Sequence, residues 1–202
     1  MARATPRSND APRDAIALLK EDHRTVEKLF DQFEEADDGE LSAIATRICE
    51  LLTVHAQIEE EILYPAAKQA LEEEEDLDLV NEAAVEHASC KDLIAKIEAM
   101  TPEHEAFKAT VKVLSEYIQH HVKEEETELF PTLKQTELDM KEIGAQLFTR
   151  KLALMEELGI DEQPTEAPKS RARSGRSSAK STATRSGARR STGKSSGKSA
   201  RH

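Results

Sequence analysis

Apolar residues recur along this chain at spacings of three and four rather than two, the period of an α-helix with one buried face. The first run, over residues 12–36, puts Ile16, Leu19, His23, Val26, Phe30 and Phe33 on one stripe. Gly39 separates it from a second stripe, Leu41, Ile44, Ile48, Leu51, His55, Glu59 and Ile62, with Pro65 as its stop. A third, over 77–100, carries Val80, Ala84, His87, Cys90, Ile94 and Ile97. Thr101 and Pro102 read as an N-cap and a first-turn proline. They open a fourth stripe, Phe107, Val111, Leu114, Ile118, His121, Glu125 and Leu129, which closes at Pro131. A fifth, shorter amphipathic segment, DMKEIGAQLFTRKLALMEELG, ends at Gly159. No alternating run of β-branched and aromatic residues competes with this pattern. It predicts an all-α chain. Short connections make neighbours antiparallel, giving an up-down-up-down four-helix bundle with a short fifth helix.

The stripes also repeat. HAQIEEEILYP at residues 55–65 returns as HVKEEETELFP at 121–131, so His55 maps onto His121 at a distance of 66 residues and His23 onto His87 at 64. The bundle is expected to be a duplicated helical hairpin whose pseudo-two-fold sets equivalent side chains opposite each other.

Composition changes the picture at the ends. The 202 residues carry a formal net charge of −12, but residues 164–202 hold eleven Lys/Arg against one acid, Glu166, a tail of +10 that leaves −22 to the rest. Its Ser, Gly, Lys and Arg cannot bury a core. The expected organisation is a disordered N-terminus (1–11), the bundle (12–160) and a disordered basic tail (161–202). Cys49 and Cys90 form no CxxC pair and sit among apolar neighbours, which points to buried free thiols in a reducing compartment. No signal-like segment and no apolar run of membrane-spanning length is present, so a cytoplasmic location is expected.

Chemistry enters through what replaces leucine. Each long stripe has a histidine at an inward position, and two have a glutamate one turn further on. His at i and Glu at i+4 share a helical face about 6 Å apart along the axis. Glu60 and Glu126 also match between the repeats, but they turn about 140° away from their histidines and are expected in solvent. A buried carboxylate without a partner is costly, and no Lys or Arg lies on these inward stripes. The compensating charge is a metal cation. Four imidazoles and two carboxylates exceed one tetrahedral ion and suit two ions bridged by the carboxylates, the setting of di-iron and di-manganese centres in bundles. The candidate ligands are His23, His55, Glu59, His87, His121 and Glu125.

The pattern His23, His55-x3-Glu59, His87, His121-x3-Glu125, with EEEILYP and EEETELFP following, resembles the hemerythrin-like HHE cation-binding family over about residues 10–160. The resemblance implies two iron ions, oxo- or hydroxo-bridged and spanned by Glu59 and Glu125, with Mn or Zn as other occupants. It implies binding of O2 or a related small oxidant. The chain lacks the paired third-helix histidines of oxygen carriers, since Ala83 and Lys91 flank His87, and it has Glu125 where carriers place an aspartate one residue later. Open coordination positions follow, as in relatives that sense oxygen or iron, decompose peroxide in a catalase- or peroxidase-like way, or act in stress response. Tyr117, four residues before His121, is a candidate hydrogen-bond donor to a bound oxygen species, or else an ordinary core tyrosine. His120 points off the stripe and is expected to be exposed, yet it is the first candidate for a missing ligand. His104 is expected in the first turn of the fourth helix, far from the site.

The tail spaces single cations between small residues and has no aromatic, so it suits non-specific contact with nucleic-acid phosphates. The alternative is contact with the acidic body of its own or a neighbouring chain. Two functions therefore stand side by side: a di-iron protein that binds, senses or decomposes O2, peroxide or NO, and an iron-binding or nucleic-acid-associated protective protein without turnover.

Overall fold

In the computed structural model, residues 14–161 are described; the expectations for residues 1–11 and for the tail beyond Asp161 fall outside them. The described residues are helical with short connections and no strand. Helix α1 is Ala15–Glu35, and Asp14 caps it by accepting from the Ala17 amide at 3.2 Å. Helix α2, Leu41–Ile58, passes through a π-helical turn, Glu59–Leu63, into α3, Tyr64–Ala70. Helix α4 is Glu74–Glu98, starting and ending slightly earlier than its stripe suggests. Helix α5, Phe107–Glu124, passes through a second π-helical turn, Glu125–Leu129, into α6, Phe130–Leu133. Helix α7, Met140–Leu158, is capped by Asp139 and closed by Gly159 at φ 69°, a left-handed position that costs glycine little. At 19 residues it is as long as its neighbours rather than short.

Two expectations about helix ends fail. Pro65 and Pro131 do not stop their helices. In each case the π turn ends one residue short of the proline, and the α-helix that continues from it carries the proline at its second position. The Tyr64 amide reaches back five residues to the Glu59 carbonyl, and the Phe130 amide reaches Glu125 in the same way. Thr101 and Pro102 do not cap the fourth long helix either. Residues 101–106 form successive turns, with the His104 amide on the Thr101 carbonyl and the Phe107 amide on His104, and α5 starts at Phe107.

Helices α1, α2, α4 and α5 each pack on two neighbours and close a ring, while α7 lies along α1 and α2. The core falls into two apolar clusters. One gathers Leu18, Leu19, Ile58, Leu63, Leu129, Leu133 and Leu147 near the π turns and α7. The other gathers Phe30, Phe33, Ile48, Leu52, Ile94, Phe107 and Leu114 toward the far end. On every bundle helix the histidine falls between them: Leu19, His23 and Val26 on α1, and Ala83, His87 and Cys90 on α4. A polar layer thus sits between two apolar slabs. Both cysteines are buried and unpaired, as expected.

Candidate metal centre

The polar layer contains all six residues singled out by the repeat, each side chain buried and Glu59 fully so. His23 Nε2 and His55 Nε2 lie 3.2 Å apart, and His87 Nε2 and His121 Nε2 lie 3.1 Å apart. Glu59 Oε2 stands between the pairs, 3.2 Å from His55 Nε2 and 3.5 Å from His87 Nε2. Glu125 Oε2 does the same from the other side, 3.3 Å from His23 Nε2 and 3.6 Å from His121 Nε2. His23, His55, Glu59 and Glu125 form one group with donor atoms within 4.8 Å of one another, and Glu59, His87 and His121 form a second. Glu59 belongs to both.

The outer nitrogens fix what the inner ones can do. His23 Nδ1 is 3.0 Å from Glu126, His87 Nδ1 is 3.2 Å from Glu60, and His121 Nδ1 is 2.8 Å from Glu86. His55 Nδ1 faces Asp22 more loosely, at 3.6 Å. An ionised carboxylate only accepts, so Nδ1 carries the proton and Nε2 presents its lone pair inward. Two lone pairs facing each other at about 3 Å repel unless a proton or a cation lies between them. Neither Glu59 oxygen has a hydrogen-bond partner, nor does Glu125 Oε2. Buried acceptors without donors are expensive, and a cation is what this donor set fits.

The electrostatics agree. Burial, and then the neighbouring Glu125 charge, push the Glu59 carboxyl well above its ordinary range. Burial opposes charge on Glu125 too, but His121 and His23 outweigh it and hold that carboxyl low. Burial drives His87 down to about 3. It also works against charge on His121, but Glu125 and the Glu86 hydrogen bond raise that imidazole. Burial thus drives Glu59, His55 and His87 toward their neutral forms, while Glu125 and His121, facing opposite charge, are held toward their charged ones.

Several expectations need correction. Tyr117 is 48% exposed and does not reach the centre. The phenol that does is Tyr64, whose hydroxyl donates to Glu125 Oε1 at 3.2 Å and lies 3.3 Å from His87 Nε2. Glu60 and Glu126 are not simply solvated, because they hold the Nδ1 atoms of His87 and His23. His120 is exposed as expected, but it lies outside the centre with Glu86 and Glu124 and is no missing inner ligand. His104 stays in the turn before α5, accepting from the Ala106 amide at 3.1 Å. Lys91, set aside as a ligand, pairs with Glu60 at 2.5 Å.

The phenol was hidden by the π turn. On a regular α-helix Tyr64 would point about 140° from Glu59; one residue absorbed in the wider turn brings it to about 40°. The same shift brings Phe130 inward in the second repeat, where it stacks on His23 with ring centres 5.9 Å apart. A cavity of about 20 Å³ opens beside the four imidazoles, walled by Val26, Leu52, Cys90, Ile94 and Ile118. That is room for about one water-sized molecule.

A helical bundle with a buried layer of paired imidazoles and shared carboxylates defines a cation-binding helical protein. The family model of the hemerythrin HHE cation binding domain matches residues 14–133, and the chain belongs to that family. A solved structure of a hemerythrin HHE cation binding domain-containing protein from Mycobacterium kansasii shares the fold, with a TM-score of 0.62 at 21% identity over 72% of this chain and 89% of that one. A curated relative from Nostoc sp., a DNA nickase, is 30% identical over 118 residues, 58% of this chain and 32% of that protein. The chain therefore spans about a third of that relative's length. No helix among the described residues is long and apolar enough to cross a membrane.

Proposed function

We propose that the chain holds two iron ions in this layer and uses them to bind, sense or decompose O2, peroxide or NO in a stress response. The observation that carries the reading is the set of four inward lone pairs and two carboxylates, three of whose oxygens lack a donor. His23, His55, Glu59 and Glu125 would hold one ion; His87 and His121, with Glu59 shared, would hold the other. An iron pair supplies exchange of electrons between the ferrous and ferric states. The chain's own residues do the rest. Glu126, Glu60 and Glu86 keep the imidazoles in one tautomer, Tyr64 offers a hydroxyl proton at the layer, and the apolar cavity admits a small molecule while limiting water. Imidazole and carboxylate also accept Mn and Zn, so metal identity is part of the test. We place the protein in the cytoplasm, a reading supported by its two free buried thiols.

The test is to load the purified chain with Fe(II), count metal and record the spectrum in air. A ferric pair gives near-ultraviolet bands that Zn lacks. Rapid conversion of two H2O2 to O2 and two H2O supports turnover; slow stoichiometric oxidation supports binding alone. A Zn-only or metal-free protein under iron-replete conditions would end the di-iron reading.

A second reading, nucleic-acid association without turnover, is favoured by the basic tail and by the likeness to the nickase from Nostoc sp.. A salt-dependent DNA mobility shift that disappears on truncation at Pro164 supports it. Binding unchanged by truncation removes the tail from the proposal.

A further inference from the structure

Four carboxylates stand behind the four imidazoles, and three of them are met by lysine. Asp22 pairs with Lys151 from α7. Glu60 pairs with Lys91 at 2.5 Å, and Glu126 with Lys20 at 2.7 Å. Glu86 is the exception. Among the described residues no Lys or Arg forms an ion pair with it; its outward oxygen, Oε1, lies 3.6 Å from His120 Nε2. The same nitrogen is 3.1 Å from Glu124 Oε1, and Glu124 likewise has no Lys or Arg partner among the described residues. Where the other three carboxylates have an ammonium, this one has an imidazole and a second carboxylate.

We propose that Glu86, His120 and Glu124 form a separate outer site for a divalent transition-metal ion on the α4–α5 surface. One donor atom from each residue lies within 4.8 Å of the others. His120 and Glu124 are four apart on α5, the spacing that puts both on one helical face, and Glu86 comes from the neighbouring α4. HHVKEE therefore interleaves two His-x3-Glu pairs, one aimed inward from His121 and one outward from His120. One imidazole and two carboxylates suit Zn, Fe(II), Mn or Co, and an ion of charge +2 neutralises both carboxylates where one lysine would neutralise only one. Glu86 links the two sites: Oε2 holds His121 Nδ1 at 2.8 Å while Oε1 faces the outer site. Side-chain exposure falls along this line from 61% at His120 to 16% at Glu86 and 2% at His121. An outer ion is thus separated from the inner centre by one carboxylate and one imidazole.

The site does not depend on the inner ions, and the experiment keeps the two apart. Metal-free full-length chain is dialysed to equilibrium against Co2+ at physiological salt, and bound cobalt is counted alongside its visible absorption. Three equivalents are expected, the third weaker, falling to two in His120→Ala and in Glu124→Gln. His120 is exposed and Glu124 half-buried outside the core, so thermal melts should match the parent. In the double variant Glu59→Ala/Glu125→Ala, one equivalent should remain, and adding His120→Ala should remove it. If the inner reading fails, the parent still binds one equivalent that needs His120. Equal cobalt in the parent, His120→Ala and Glu124→Gln overturns the outer site, as does a third equivalent that survives both substitutions.

Discussion

The first hairpin, α1 with α2 and α3, and the second, α4 with α5 and α6, each give the centre two histidines and one glutamate at matching positions. Their surroundings differ. The aromatic residue that each π turn brings inward is Tyr64 in the first hairpin and Phe130 in the second; both stack on an imidazole, but only Tyr64 carries a hydroxyl. Glu59 has no hydrogen-bond donor and is pushed toward its neutral form by burial, whereas Glu125 accepts from Tyr64 and is held charged by two imidazoles. Duplication sets the positions of the donors, and single side chains then make the two halves electrostatically unequal. Cations held there would meet unequal surroundings, with a proton donor beside Glu125 and His87 and a bare ring beside His23.

The largest effect should come from breaking both halves alike. Glu59→Ala removes the carboxylate common to both donor groups and Glu125→Ala the second carboxylate of the first group; on the di-iron reading, each should cut bound iron from two per chain to one or none by metal analysis. Two irons retained in both variants would refute the ligand assignment. Leu63→Ala and Leu129→Ala, at equivalent buried positions in the two π turns, should each cost about 2–5 kcal/mol in denaturant unfolding. A large difference between them would show that the halves are packed unequally as well as charged unequally. Removing an outer carboxylate is milder: Glu60→Gln and Glu126→Gln should weaken metal binding about 10–100-fold in competition with a chelator. Asp22→Asn should weaken it less, because Asp22 stands 3.6 Å from its histidine. The smallest and most specific change is Tyr64→Phe, which makes the halves alike. It should keep both ions and shift the absorption bands of the iron-loaded protein; an unchanged spectrum would remove the phenol from the centre.

The six inner residues were legible in the sequence because two constraints met on them: a helical face and a repeat. The bundle was legible for the same reason, since four stripes at one period admit few packings. Glu60, Glu126 and Glu86 were not. Each lies off its own stripe and reaches a histidine on a neighbouring helix, so its role depends on how helices pack rather than on spacing along one of them. Tyr64 was not legible because a strict period of 3.6 is broken at the π turn, whereas Tyr117, which keeps that period, offered itself as the candidate phenol. Thr101 and Pro102 have the residue types of a helix start, yet the chain makes turns there before Phe107 begins to bury.

The widened turns have a bearing on protein engineering. A designer who transplants only His-x3-Glu onto an ideal, straight helix would recover the inward imidazole and carboxylate but aim the following aromatic ring sideways, away from them. The portable unit is the eleven-residue stretch through its proline, because the extra backbone residue it accommodates is what turns the ring toward the buried imidazoles.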